Sequence, residues 1–359
     1  MIEKFFEYNP YSLAKNKKEE LLLSHELELT KIHYERCEKY RNILDGLGYE
    51  PKMIKCLADL PFIPVRLFKE FELKSIPDNE VFKVISSSGT TGQVVSKIYL
   101  DQKTALLQQK VLIKILSDFV GKQRLPMLLI DSPAIIRDRT AFSARGAALM
   151  SLNILATKMT YVLNDDMSLN EAVMKSFLKE NNGKKFLIFG FTFMLWQYFY
   201  KGLAESKNKY DLSKAFMIQS GGWKKFEAEK ISKEDFQHKF KEICGIDHFV
   251  DHYGMAEQTG CVYADCECKN MHASIYSDII VRSPKDFSPC KIGEKGIIQV
   301  ISSLPYSYPG HSILTEDEGV ILGEDDCPCG RKGKYIKVLG RIKKAELRGC
   351  SDTYASQFR

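Results

Sequence analysis

Apolar residues fall along this chain in two rhythms, and the change comes near residue 258. Residues 13–47 are rich in Leu, Glu and Lys and carry Leu21, Leu22, Leu27 and Ile32 at helical spacing, which predicts helix closed by Gly46 and Gly48. The proline-punctuated stretch 60–65 reads as extended chain, and 81–86 as a strand running into a Ser/Gly/Thr loop. Beyond it, apolar runs at 127–131, 160–163, 185–189, 215–219 and 248–252 alternate with amphipathic stretches near 104–119, 139–152, 168–181, 192–204 and 223–243. That alternation predicts a mostly parallel α/β sheet flanked by helices. After 258 the runs at 274–281, 296–301, 319–322 and 335–339 are short and separated by turns, which predicts a β-rich subdomain. The division is then a helical segment over 1–80, an α/β core over 81–257, the β-rich subdomain over 258–340 and a tail over 341–359.

Composition narrows the class. The 359 residues are 44% hydrophobic and 27% charged, which is globular and excludes intrinsic disorder, collagen and a disulfide miniprotein. Lys plus Arg (52) exceed Asp plus Glu (46) by six. The basic residues are dispersed, with no cluster interleaved with aromatics, so no nucleic-acid partner is expected. The N-terminus has early acids and no apolar segment, which argues against a signal peptide. No apolar run approaches the ~20 residues of a membrane helix. The expectation is a soluble, cytoplasmic protein. Without a secretion signal, the ten cysteines read as thiols or metal ligands, and seven of them fall between Cys261 and Cys350.

Two local patterns carry chemistry. Ser86-Ser87-Ser88-Gly89-Thr90-Thr91-Gly92-Gln93 offers glycines that let the backbone approach a ligand, with N–H groups and hydroxyls that can surround phosphate oxygens. Lys97 lies five residues beyond Gly92 and can add positive charge. An ordinary polar surface loop is the alternative. The spacing is not that of the G-x-x-x-x-G-K-[ST] loop. The second pattern is Cys266-Glu267-Cys268-Lys269-Asn270-Met271-His272 followed much later by Cys327-Pro328-Cys329-Gly330. Thiolates and an imidazole suit tetrahedral Zn²⁺. The preferred set is Cys266, His272, Cys327 and Cys329, with Cys268 as substitute. No acid or open position is evident, so the role would be structural. Free thiols at loop turns are the alternative.

The loop at 86–93 resembles the phosphate-binding motif of the adenylate-forming superfamily of acyl-CoA synthetases, peptide-synthetase adenylation domains and luciferases. Further matches follow in the family's order. Gly221-Gly222-Trp223 resembles its glycine turn near adenine. Tyr253-Gly254-Met255-Ala256-Glu257 resembles its Tyr-Gly-x-Thr-Glu motif, whose aromatic stacks on adenine and whose acid ligates magnesium. Ala256 stands in place of the usual Thr. Thr315-Glu316-Asp317 resembles the Thr-Gly-Asp whose acid holds the ribose hydroxyls, and Gly340-Arg341-Ile342-Lys343-Lys344 resembles the Gly-Arg hinge motif. The stretches Leu60-Pro61-Phe62-Ile63-Pro64, Ser96-Lys97-Ile98-Tyr99, Pro305-Tyr306-Ser307-Tyr308-Pro309-Gly310-His311 and Glu346-Leu347-Arg348-Gly349-Cys350 are most similar to the bioluminescence-type acyl-protein synthetases, relatives of the phenylacetate-CoA ligases.

The resemblance covers nearly the whole chain. It implies the large α/β domain of an adenylate-forming enzyme with a β-rich subdomain, the mobile C-terminal domain being absent or reduced to a tail. The implied chemistry is attack of a carboxylate, fatty by the resemblance, on the α-phosphate of ATP. Such a reaction needs orientation and charge neutralisation more than an acid or base. Ser87, Ser88, Gly89, Thr90, Thr91, Gly92 and Lys97 would cradle phosphates, and Glu257 would hold Mg²⁺. Gly221, Gly222, Tyr253 and Gly254 would meet adenine, and Asp317 and Arg341 would fix ribose and phosphate. The superfamily's C-terminal adenylation lysine has no counterpart. The resemblance implies Cys350 as acyl acceptor, its thiol pKa lowered by Lys343, Lys344 and Arg348, and a carrier or reductase protein as partner. Aromatics from Phe186 to Tyr200 suggest an acyl pocket or, equally, a helix packed on a core. The rival readings are a coenzyme A ligase and a non-catalytic adenylate-binding scaffold.

Overall fold

The structure, a computed structural model, describes residues 2–86, 95–137, 149, 152–223 and 229–342. In chain order its strands are β1 (Ile63–Pro64), β2 (Lys83–Ser86), β3 (Lys97–Leu100), β4 (Leu125–Leu129), β5 (Ala156–Tyr161), β6 (Phe186–Phe191) and β7 (Ala215–Ser220). They continue with β8 (His248–Tyr253), β9 (Tyr263–Asp265), β10 (Met271–His272), β11 (Ser277–Arg282), β12 (Lys295–Ser302), β13 (Ser312–Glu324) and β14 (Lys334–Arg341). The chain divides into two compact units. The first joins the residues up to Ile115 with those from Gly254 onward, and the second is Leu116–Tyr253.

The second unit is a parallel sheet in the order β5-β4-β6-β7-β8. Ranked along the chain this is 2-1-3-4-5, a doubly wound order in which ligands bind beyond the carboxyl ends of the strands. β6 reads Phe-Leu-Ile-Phe-Gly-Phe and five of its six residues are buried, as expected of a strand covered on both faces. The helix Glu171–Glu180 starts at Asn170, whose side chain accepts the Val173 N–H at 3.0 Å. The helix Lys233–Cys244 starts at Ser232, which accepts from Asp235 N at 3.0 Å, and closes on Gly245 in the left-handed region. It therefore begins later than the 223–243 pattern suggested, because the capping serine sets its start. The helix expected at 139–152 lies almost wholly outside the described residues.

Between Thr192 and Glu205 the helix widens into a π-helical segment over Leu195–Tyr200. There Trp196 stacks on Tyr200 with ring centroids 4.4 Å apart and planes within 3°. A Cβ on Gly190 would lie 2.9 Å from Leu195, so glycine lets this helix pack directly against β6. Phe199, Phe236, Phe240 and Trp223 fill the space beside it.

The first unit is built on an antiparallel sheet in the order β11-β12-β13-β14-β10-β9, with β1 joining β13 in parallel. The hairpin β2–β3 forms a sheet of its own. Helices α1 (Lys15–Arg36) and α2 (Glu38–Gly46) belong to this unit. The buried face of α1 is Lys18, Leu22, His25, Glu26, Leu29, Thr30 and His33, while Leu21, Leu27 and Ile32 are only half-buried. Polar groups on that face are paired, as burial demands. Lys18 Nζ donates to Ala273 O at 3.1 Å and pairs with Asp278 Oδ1 at 3.4 Å, while Lys334 holds Asp278 Oδ2 at 2.6 Å. His33 Nδ1 meets Ser75 Oγ at 2.8 Å and its Nε2 meets Pro305 O at 2.9 Å. Its ring stacks on His311, 5.0 Å away, whose Nε2 lies 2.9 Å from Thr30 Oγ1. Glu26 is the exception: it is fully buried, and among the described residues neither carboxyl oxygen has a partner. Burial pushes its pKa well above 4.5, in favour of the neutral acid.

Candidate nucleotide site and metal centre

In the second unit, β7 and β8 are neighbours with Ser220 in register with His252. Gly221, Gly222 and Tyr253 thus come together at the carboxyl ends of two adjacent parallel strands. Gly221 has φ +71°, a conformation that glycine adopts without strain, and its carbonyl accepts from Thr192 Oγ1 at 2.6 Å. Tyr253 is half-buried, and so is His252, whose imidazole is pushed down by burial and whose Nδ1 has no partner among the described residues. Phe186, Phe189 and Phe199 are core residues, and Phe191, Phe193, Trp196, Tyr198 and Tyr200 are half-buried beside them. The aromatic run is thus taken up largely by packing.

In the first unit, Gly254 is exposed and opens the turn that carries Glu257. Glu257 is 5% exposed, and among the described residues no Lys or Arg pairs with it. Its side-chain oxygens are donors of the kind Mg²⁺ prefers. Asp317 on β13 and Arg341 on β14 are cross-strand partners, so two residues 24 apart in sequence stand side by side. The Thr315 hydroxyl donates to Ile298 O at 2.8 Å and accepts from Asp317 N at 3.1 Å, which ties the acid's main chain to the neighbouring strand. Lys97 is exposed and pairs in register with Ser86, so β2 and β3 deliver both ends of the glycine-threonine loop. Ser87, Ser88, Gly89, Thr90, Thr91 and Gly92 themselves lie outside the described residues, as do Lys343, Lys344 and Cys350.

The cysteine–histidine pattern converges. One atom each from Cys266, His272, Cys327 and Cys329 lie within 4.8 Å of one another. Two tight turns supply the thiols. In one, Lys269 N bonds to Cys266 O at 2.7 Å with Lys269 left-handed, and in the other Gly330 N bonds to Cys327 O at 3.0 Å. Arg331 bridges the turns by pairing with Glu267 at 2.7 Å. Cys266 and Cys327 sulfurs are 3.8 Å apart, and Cys329 Sγ is 3.4 Å from His272 Nε2. Tetrahedral zinc, with bonds of about 2.3 Å to sulfur and about 2.05 Å to nitrogen, places those pairs about 3.8 and about 3.6 Å apart. The donor set therefore fits Zn²⁺ in geometry as well as in softness. Burial, aided by Arg331 and Lys18, pushes His272 down to about 4, which leaves the imidazole neutral and able to ligate. Asn270 donates to Cys327 Sγ at 3.4 Å, and Cys268 is exposed. Sequence reasoning passed over Asn270, which no pattern singles out.

The fold matches solved ligases. It superposes on 2-hydroxyisobutyryl-CoA ligase in the postadenylation state with its acyl-adenylate, with a TM-score of 0.73 and 15% identity, over 92% of this chain and 69% of that one. An open form of that enzyme with coenzyme A gives 0.72, at 93% and 77% coverage. The fold is thus the one these solved ligases share. The long-chain-fatty-acid–luciferin-component ligase of Vibrio harveyi is 24% identical over 340 residues, 91% of this chain and 85% of that protein. A phenylacetate-coenzyme A ligase of Thermus thermophilus is 44% identical over 66 residues, 17% of this chain and 15% of that protein. The chain belongs to the acyl-protein synthetase (LuxE) family, which it matches over residues 2–359. It is a ligase that activates a carboxylic acid with ATP and passes the acyl group to a protein thiol. Among the described residues no helix is long and apolar enough to cross a membrane.

Proposed function

We propose that the acid is a long-chain fatty acid, that Glu257 holds the magnesium of ATP, and that the acceptor is a thiol of this chain or of a partner protein. The observation that supports the residue assignment is the cross-strand pairing of Asp317 with Arg341, an acid suited to ribose hydroxyls beside a cation suited to phosphate. Gly221, Gly222 and Tyr253 at the ends of β7 and β8 support adenine contacts. Gly254 continues the same motif. Lys97 and the loop Ser87–Gly92 would meet the phosphates. Bound ATP supplies the phosphorus that the carboxylate attacks. The chain's own residues orient the two anions and screen their repulsion. Glu257→Gln should lose acid-dependent ATP–pyrophosphate exchange, measured with short, medium and long fatty acids and aryl acids. Exchange that survives in this variant would remove Glu257 from the site.

Cys266, His272, Cys327 and Cys329 form a structural zinc site in this reading, with the observed sulfur and nitrogen spacings as support. Elemental analysis of purified protein without near-stoichiometric zinc would end it. Cys350 carries a transient thioester in the same reading. An equal acyl mass gain in Cys350→Ser, with the label on another residue, would exclude it. The coenzyme A reading draws on the local similarity to a phenylacetate-coenzyme A ligase. It predicts that coenzyme A discharges the adenylate without any protein acceptor.

A further inference from the structure

We infer that Tyr308 is a positioning residue for Glu257, fixing the main chain of the turn that carries this carboxylate. The inference rests on the reading that Glu257 holds magnesium. Tyr308 is fully buried, and its hydroxyl donates to the backbone carbonyl of Glu257 at 3.0 Å. The same hydroxyl accepts from Gln108 Nε2 at 3.2 Å, so its hydrogen is directed at that carbonyl. The next residue along the turn is held from the same loop: Gln258 Nε2 donates to Gly310 O at 2.8 Å and to Val300 O at 3.2 Å.

Two glycines make this fit possible. A Cβ on Gly310 would enter the Tyr308 ring and lie 2.9 Å from Glu257 O. One on Gly260, at φ +96°, would lie 2.7 Å from the main chain of Gln108. The turn therefore lies close against the main chain of Gln108 and against the loop 305–311, to which the Glu257 carbonyl and the Gln258 side chain are bonded. Magnesium demands near-ideal octahedral geometry, so a carboxylate that serves it must be placed to a fraction of an ångström. Groups that orient a metal-facing side chain without touching the ion typically carry about tenfold or more in affinity.

The test uses full-length, zinc-replete protein with Mn²⁺·ATP as the probe, its binding read by water-proton relaxation. ATP–pyrophosphate exchange is followed against free Mg²⁺ in parallel. Tyr308→Phe keeps the ring and removes only the hydroxyl. It should weaken Mn²⁺·ATP binding about tenfold and raise the half-saturating Mg²⁺ by the same factor, with a smaller change in maximal exchange. Gln108→Met leaves Tyr308 in place but frees its hydroxyl to turn, and should give about a threefold effect, so the inference stands or falls even if Tyr308→Phe does not fold. Tyr306→Phe removes a hydroxyl from the same loop that faces His25 at 3.4 Å instead, and should bind Mn²⁺·ATP as wild type does. Unchanged Mn²⁺·ATP binding in both Tyr308→Phe and Gln108→Met would overturn the inference, and so would an equal loss in Tyr306→Phe. If wild type and Glu257→Gln bind Mn²⁺·ATP alike, the magnesium reading itself fails and takes this inference with it.

Discussion

The interiors of the two units are held by different chemistry. In the second unit Phe199, Phe236, Phe240, Trp196 and Tyr200 pack ring against ring, and the central strand β6 is apolar throughout. In the first, a helix lays Lys18, His25, Glu26, Thr30 and His33 against a sheet, and hydrogen bonds and one buried ion cluster do the joining. An apolar interior tolerates a change of shape, because neighbouring rings can shift. A polar interior tolerates almost any change of shape better than the loss of one partner, because the group left behind is already out of water.

That contrast can be broken most sharply at Asp278. Burial opposes its charge, but Lys334 and Lys18 together hold its pKa below the ordinary 3.8. Asp278→Asn is nearly isosteric, yet it removes the carboxylate that pairs with the buried Lys18 and the part-buried Lys334, and should cost about 3–5 kcal/mol in urea unfolding followed by circular dichroism. A loss below 1 kcal/mol would dissolve the comparison. Since the folded pKa is depressed, this contribution is present above pH 3.8 and fades as pH falls below it.

Glu26 gives the opposite sign. Its folded pKa lies well above 4.5, so the unfolded chain releases the proton first and stability falls as pH rises past 4.5. Relative to Glu26→Gln, wild type should lose about 1.4 kcal/mol per pH unit from there upward until the folded group ionises. Parallel stability curves between pH 5 and 7 would show that the buried carboxyl finds a partner. In the second unit, Phe240→Leu changes shape but not polarity and should cost only about 1 kcal/mol. Both tryptophans of the chain, Trp196 and Trp223, lie in that unit and report its transition by fluorescence. The smallest effect should come from Cys268→Ser, which leaves zinc content and unfolding midpoint unchanged if the exposed thiol lies outside the ligand set.

The same contrast explains what the sequence made legible. The five strands of the second unit fall within a few residues of the apolar runs, most plainly β6, where burial on both faces writes itself as continuous hydrophobicity. The inward face of α1 was not readable that way: its buried positions include a lysine, two histidines and a glutamate, which signal exposure until their partners at Ser303, Pro305 and Asp278 are known. The cysteine–histidine cluster was legible because thiols and imidazole carry their chemistry at any sequence distance, and Met271–His272 pairs with β14 to bring the halves together. Asp317 and Arg341 were found as separate motifs, and only strand register makes them neighbours. Tyr308 stood in the sequence only as part of the stretch 305–311 and Gln108 in no motif, and neither points to Glu257 until the hydroxyl is seen linking the glutamine amide to that residue's carbonyl.

The first unit takes its residues from both ends of the chain, and this has a consequence for synthesis. The segment ending at Ile115 leaves the ribosome well before the strands that begin beyond Gly254. At roughly 5–20 residues per second that interval is about 7–28 s. The second unit, continuous in sequence, can fold during that wait. Meanwhile Lys18, His33 and the unpartnered Glu26 stay in water, where a polar inward face is harmless and an apolar one would invite aggregation.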